Sequence, residues 1–203
     1  MGLFVVFEGI EGSGKSTQSR ELRRRLVQSG YTVTLVREPG GTPTGDRIRE
    51  ELLGSNHHIT PVAELFLFSA SRALLVDSTI RPALAGNEVV VCDRYAASTL
   101  AYQGFARGVD LETVERTNDT ATGGLYPDLV VLLDIEVEVG LARKSKGHLD
   151  RIERERIEFH RRARDGFLEL ARREPGRWLV LDGSDPEETI SRGVWQRVSE
   201  KLD

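Results

Sequence analysis

The sequence predicts an α/β domain, a doubly wound five-stranded parallel sheet with helices on both faces. Five short runs rich in Val, Leu, Ile and Phe are apolar almost throughout instead of alternating, the pattern of strands buried on both faces. Segments with helical spacing lie between them, so strand and helix alternate from end to end. Charged residues gather where these runs stop, at Glu8, Arg37-Glu38, Asp93-Arg94, Asp134 and Asp182. Open α/β sheets bind ligands at the carboxyl ends of their strands, so these positions are where chemistry is expected.

Taken in order, the first strand is LFVVFE (3–8), followed by a glycine turn and a helix whose Leu22 and Leu26 share a face. YTVTLVR (31–37), EVVVCDR (88–94) and DLVVLLDI (128–135) are the next three strands. Ala163, Phe167 and Leu170 recur at steps of three and four and mark a late helix, and RWLVLDG (177–183) is the fifth strand. No repeat, low-complexity tract or linker divides the chain, and 203 residues suit one domain spanning 1–203.

Composition narrows the classes. A charged fraction of 30% beside 39% hydrophobic residues describes a folded globular chain. The net charge of -4 argues against a general nucleic-acid binder, which would be basic. The single cysteine, Cys92, excludes an internal disulfide and reads as a small buried strand residue. His57, His58, His148 and His160 show no zinc spacing and read as loop or surface residues. No apolar stretch approaches the roughly 20 residues that span a bilayer. The apolar start lacks a basic leader, so no membrane association is expected and the cytoplasm is the expected location.

Gly9-Ile10-Glu11-Gly12-Ser13-Gly14-Lys15-Ser16, with Thr17 next, fits the phosphate-loop pattern GxxxxGK[ST] between a strand and a helix. Its glycines permit positive φ, and successive N–H groups with the helix N-terminus attract an anion. Lys15 would reach the β- and γ-phosphates of ATP, and the Ser16 hydroxyl would ligate Mg²⁺. The NKxD and DxxG of a switch GTPase are absent, and an ATPase motor of this size would lack a partner domain to move. Nucleotide kinases remain, and these need a second anion site. Arg37 and Arg94 at strand ends, with Arg72 on an intervening helix, are candidates, because arginine binds phosphate through paired donors.

VREPGGTPTGDRIRE (36–50), ELFLFSASR (64–72), VVVCDRYAASTLAYQG (89–104), YPDLVVLLD (126–134) and GHLDRIERE (147–155) occur in an order and spacing that resemble bacterial thymidylate kinase over almost the whole chain. The resemblance implies a P-loop nucleoside-monophosphate-kinase fold with a short mobile lid, inserted at about 142–156. It implies transfer of the γ-phosphoryl of ATP to dTMP, with Mg²⁺, in a homodimer serving dTTP biosynthesis. It also implies roles. Phe68 would stack on thymine, Arg72 would bond its O4, and Thr99 and Gln103 would meet the imide edge. Tyr102 would lie beneath the sugar at C2′. Arg94 and Arg37 would hold the acceptor phosphate, with Glu38, Pro39 and Ser98 shaping that side. Asp93 would lie near Mg²⁺, directly or through water.

In lid-arginine members, lid cations make up for a phosphate loop without arginine, and here the loop carries Glu11. Lys146 stands where the family often has arginine, so Arg151 and Lys146 are both candidates for the catalytic lid cation. Arg143 would fit the adenine side. The rival readings are a kinase of the same fold acting on dUMP or a deoxynucleoside, and a catalytically silent nucleotide-binding subunit. One methyl group separates dTMP from dUMP, a difference worth only about 1–3 kcal/mol.

Overall fold

The computed structural model describes residues 2–54, 57–144 and 149–202. Its five strands are β1 (Leu3–Glu8), β2 (Val33–Arg37), β3 (Val89–Asp93), β4 (Leu129–Asp134) and β5 (Trp178–Asp182). All pair in parallel in the order β2-β3-β1-β4-β5. The helices are α1 (Lys15–Gln28), α2 (Pro43–Arg49), α3 (Pro61–Leu75), α4 (Arg81–Ala85), α5 (Ala96–Thr99), α6 (Leu111–Thr122), α7 (Val137–Lys144), α8 (Ile157–Arg173) and α9 (Glu187–Leu202). Wider π-type turns continue α2 over Glu50–Gly54, link α3 to α4, and continue α5 over Leu100–Ala106.

Alternation along each strand divides the core between the two faces of the sheet. Val5 and Phe7 of β1 pack with Leu22 and Leu26 of α1 and Ile190, Val194 and Val198 of α9. Phe4 and Val6 face the other way, against Leu75, Ile80, Cys92 and Tyr95. Beside them, Leu132 meets Tyr102 and the apolar face of α8, formed by Phe159, Ala163 and Phe167. The helical periodicities expected from Leu22/Leu26 and from Ala163/Phe167/Leu170 are therefore real core faces.

Burial on both sides holds for β1, β3 and β4 but not for β2 and β5, which is a correction to the expectation for all five. Both are sheet edges, where one flank has no neighbouring strand, and Val180 of β5 is exposed. β2 also begins at Val33 instead of Tyr31. Cys92 is buried on β3, as its apolar context suggested.

Parallel register brings the strand ends to one rim. Arg37 is level with Asp93, and Asp134 is level with Asp182. β1 runs into the glycine turn and α1 starts at Lys15 straight after it. Two glycines set how α7 approaches that turn: a Cβ on Gly12 would lie 2.0 Å from Gly140 O, and one on Gly140 would lie 2.4 Å from Glu11 O. Only hydrogen side chains let these backbones touch.

Candidate active site

The rim encloses a cavity of about 390 Å³. One wall is the glycine turn. Gly12 and Gly14 take left-handed φ of 72° and 96°, which side chains rarely adopt. Gly14 begins α1 without a side-chain cap, and the first turn of α1 carries no acid, which leaves the helix N-terminus open to an anion. Lys15 is folded over the loop, its Nζ donating to Ile10 O at 2.7 Å and to Ser13 Oγ at 3.2 Å. Burial, aided by the charge of Arg94, pulls the Lys15 ammonium down to about 7 despite nearby Asp93, Glu11 and Glu8. A bound phosphate would supply the missing counter-charge.

Arg94 joins this wall to the opposite one. It sits at a φ of 72°, an uncommon conformation for a non-glycine residue, held because β3 ends at Asp93 and the chain turns sharply. Its Nη1 donates to Gly9 O at 3.0 Å and Ser98 Oγ at 3.2 Å. Its Nη2 donates to Glu11 Oε1 at 2.9 Å and lies 3.3 Å from the Tyr102 hydroxyl. Glu8 fixes the turn that follows, accepting from Tyr95 N at 2.9 Å, Ser98 N at 3.1 Å and Ser98 Oγ at 2.6 Å. Burial pushes the Glu8 carboxyl up, and Arg94 and the Ser98 bond oppose that rise.

Glu11 is the hub. Besides Arg94 it accepts from Tyr102 Oη at 2.7 Å and pairs with His160 Nδ1 at 3.1 Å. Burial alone would raise its carboxyl, but the His160 hydrogen bond and the Arg94 and Lys15 charges outweigh it and hold Glu11 well below the usual range. His160 corrects the surface expectation made for the histidines: it is fully buried on α8. The signal was available, since it stands three residues before Ala163 and seven before Phe167 on the apolar face. His57 and His58 are exposed, and His148 lies outside the described residues.

On the acceptor side the cavity is lined by Arg37, Glu38, Pro39, Phe68 and Arg94, and beyond them by Ser98, Thr99, Tyr102 and Gln103. Glu38 and Pro39 are joined by a cis peptide bond. Arg72 does not line the cavity. It is buried, with Nε donating to Glu38 Oε2 and Nη1 to Asn118 Oδ1, both at 2.7 Å, and Nη2 to Tyr95 O at 3.1 Å. Burial pushes Glu38 up to about 7, with Arg72 resisting. Its Oε1 has no partner among the described residues, nor does Thr99 Oγ1.

Of the loop positions, Glu11, Gly12, Gly14, Lys15, Ser16 and Thr17 reach the cavity, while Gly9, Ile10 and Ser13 shape it from behind. Arg143 lines it too, with Nη1 donating to Gly12 O at 3.2 Å and Gly183 O at 2.9 Å. Ser16 Oγ donates to Asp93 Oδ2 at 2.5 Å, which sets two oxygen atoms side by side. Arg151 is not at the cavity: its Nε donates to Leu52 O at 2.8 Å and its Nη2 to Glu64. Lys146 lies outside the described residues. Arg49 was not anticipated, yet it lines the cavity beside Arg37 and donates to Pro39 O at 2.9 Å. The arginine of DRIRE, one helical segment beyond REPGGT, was the sequence signal for it.

A phosphate loop at the tip of β1, facing arginines across one cleft on a 2-3-1-4-5 parallel sheet, defines a P-loop nucleotide kinase. The family model described as thymidylate kinase matches residues 7–194. The chain is 50% identical over 201 residues to the thymidylate kinase of Deinococcus radiodurans, covering 98% of both chains. It is 49% identical over 203 residues to that of Dehalococcoides mccartyi, covering 100% of this chain and 98% of the relative. The crystal structure of thymidylate kinase from Ehrlichia chaffeensis superimposes with a TM-score of 0.80 at 32% identity, over 97% of this chain and 98% of that one. The chain belongs to the thymidylate kinase family.

Proposed function

We propose that this cavity transfers the γ-phosphoryl group of ATP to dTMP, giving ADP and dTDP. The observation that carries the reading is Arg94, whose guanidinium is bonded to the glycine turn at Gly9 O and to the acceptor wall at Ser98 Oγ. A cation there can meet both phosphate groups. ATP would lie along residues 9–17, with Arg143 toward its base. Arg37 and Arg94 would take the dTMP phosphate with Arg49 beside them, Phe68 would stack on thymine, and Thr99 and Gln103 would read its imide edge. Arg72, which braces Glu38 from behind, would reach O4 by exchanging one of its present partners.

The nucleophile is an oxygen of the dTMP phosphate, whose second pKa is about 6, so it is largely dianionic at neutral pH. No general base is required, and the side chains act by aligning two anions and spreading the transferring charge over Lys15 and Arg94. Ser16 and Asp93 offer hard oxygen donors in contact with one another, which suits Mg²⁺ completed by water and phosphate. Bound there, Mg²⁺ would neutralise charge on the β- and γ-phosphates. Segment 142–156 would close over ATP and exclude water, with Lys146 or Arg151 as the lid cation. For Arg151 this requires leaving Glu64.

We assign a homodimer, supported by the exposed Val62, Phe66 and Leu74, spaced at multiples of four along α3. Cytoplasmic location accords with the lone unpaired cysteine. Among the described residues no helix is long and apolar enough to cross a membrane. The family match does not favour a deoxynucleoside kinase or a silent subunit. ADP release measured with Mg-ATP and dTMP, dUMP, dCMP, AMP or thymidine tests the reading. Preference for dTMP is expected; no turnover with dTMP, or preference for AMP or thymidine, overturns it.

A further inference from the structure

Gln103 lines the cavity next to Thr99, and the placement of its amide is dictated from behind. Its Nε2 donates to Glu64 Oε1 at 2.7 Å in a buried setting. Glu64 is wholly buried on α3, and Arg107 donates to its two oxygens at 3.2 and 3.3 Å, with Arg151 donating as well. A carboxylate surrounded by donors has no hydrogen to offer. Gln103 can satisfy it only by turning its NH₂ inward, which leaves the amide oxygen free to accept from a ligand. Thr99 Oγ1 is buried and unpartnered beside it, but a hydroxyl rotates to donate or accept and imposes no sign.

We propose that Glu64 is a positioning residue that sets base selection: by fixing the Gln103 amide oxygen toward the ligand, it makes the cavity demand a pyrimidine bearing hydrogen on N3. The inference rests on the dTMP reading of the cavity and deepens it. Thymine and uracil carry that hydrogen. Cytosine presents a bare N3 lone pair, so two acceptors would face each other in a dry site. Selection among 2,4-dioxopyrimidines by the methyl group is a separate matter. Without the carboxylate, the glutamine amide could turn over and present N–H instead, and the sign of the selection would be lost.

The test compares kcat/KM for dTMP with that for the 5′-monophosphate of 5-methyl-2′-deoxyisocytidine, which keeps O4 and the methyl group but has an N3 lone pair. The unaltered enzyme should prefer dTMP by roughly 10⁴-fold, as sites built around one polar group do. Glu64→Gln lets either amide turn, and the preference should fall by about tenfold or more, whatever happens to kcat. Glu64→Asp keeps a pure acceptor and should keep the strict preference. An unchanged ratio in Glu64→Gln, with both substrates slowed equally, makes Glu64 merely structural and overturns the inference. Should that variant fail to fold, the unaltered enzyme still decides: binding of the two nucleotides within about tenfold overturns it, against the roughly 10⁴-fold gap expected. Absence of dTMP turnover in the unaltered enzyme would defeat the kinase reading itself, whereas normal dTMP turnover with indifference to N3 defeats only this inference.

Discussion

The two walls of the cavity are built on different terms. On the phosphate-loop side, the charged side chains are held by the chain itself: Lys15 donates to Ile10 and Ser13, and Glu11 is bonded by Arg94, Tyr102 and His160, whose Nε2 is buried without a partner among the described residues. On the acceptor side, Glu38 Oε1 and Thr99 Oγ1 are buried without partners, and Arg37 makes no ion pair among the described residues. Buried polar atoms are nearly always paired in a finished core, so unpaired ones at a cavity mark where a ligand completes the structure. The charged side chains of the phosphate-loop wall are thus already bonded within the chain, whereas the opposite wall keeps unpartnered polar atoms at the cavity.

Arg94, which belongs to both walls, offers the severest way to break this contrast. Arg94→Ala should cut turnover by roughly 10³-fold or more while leaving ATP affinity largely intact, read by ADP release and nucleotide titration. Collapse of ATP affinity with dTMP handling preserved would place the residue on the donor wall alone. His160 sharpens the donor side. His160→Leu leaves one oxygen of buried Glu11 without its donor and should cost about 1–3 kcal/mol of stability in denaturant unfolding. His160→Asn, able to donate from nearly the same place as Nδ1, should recover most of it.

A further prediction concerns the acceptor side and pH. Glu38 sits at about 7 in the folded protein against 4.5 ordinarily, so the folded state keeps a proton that the unfolded chain releases in that window. Its contribution favours folding fully below pH 4.5 and is lost as pH rises through about 7. The melting temperature of the unaltered protein, taken relative to Glu38→Gln, should therefore fall from pH 5 to 7, a window drawn from the same shift. A flat difference would mean that Arg72 neutralises Glu38 fully.

Sequence carried the three inner strands and the glycine turn because both are local: a doubly buried strand is a continuous apolar run, and a phosphate loop is a contiguous string. It misjudged β2 and β5 because edge position depends on strand order, which no single run encodes. Side-chain pairing was the least legible. Arg72 and Arg151 look like ligands in a linear reading, yet their present partners Glu38 and Glu64 lie 34 and 87 residues away. His160 was hidden differently, because a polar residue on an apolar helix face shows its purpose only once Glu11 is seen opposite it.

The contact between Gly12 and Gly140 changes how substitutions in α7 should be judged. Alanine is preferred to glycine inside a helix by about 1 kcal/mol, so Gly140→Ala would ordinarily be chosen to toughen the protein. Here the added methyl would push on Glu11 O, 2.4 Å away, and shift the phosphate loop. A routine stabilising change should therefore register as a nucleotide-affinity defect, detected as a higher KM for ATP together with a lower melting temperature. The constraint on the phosphate loop thus extends beyond its motif to a glycine in another helix.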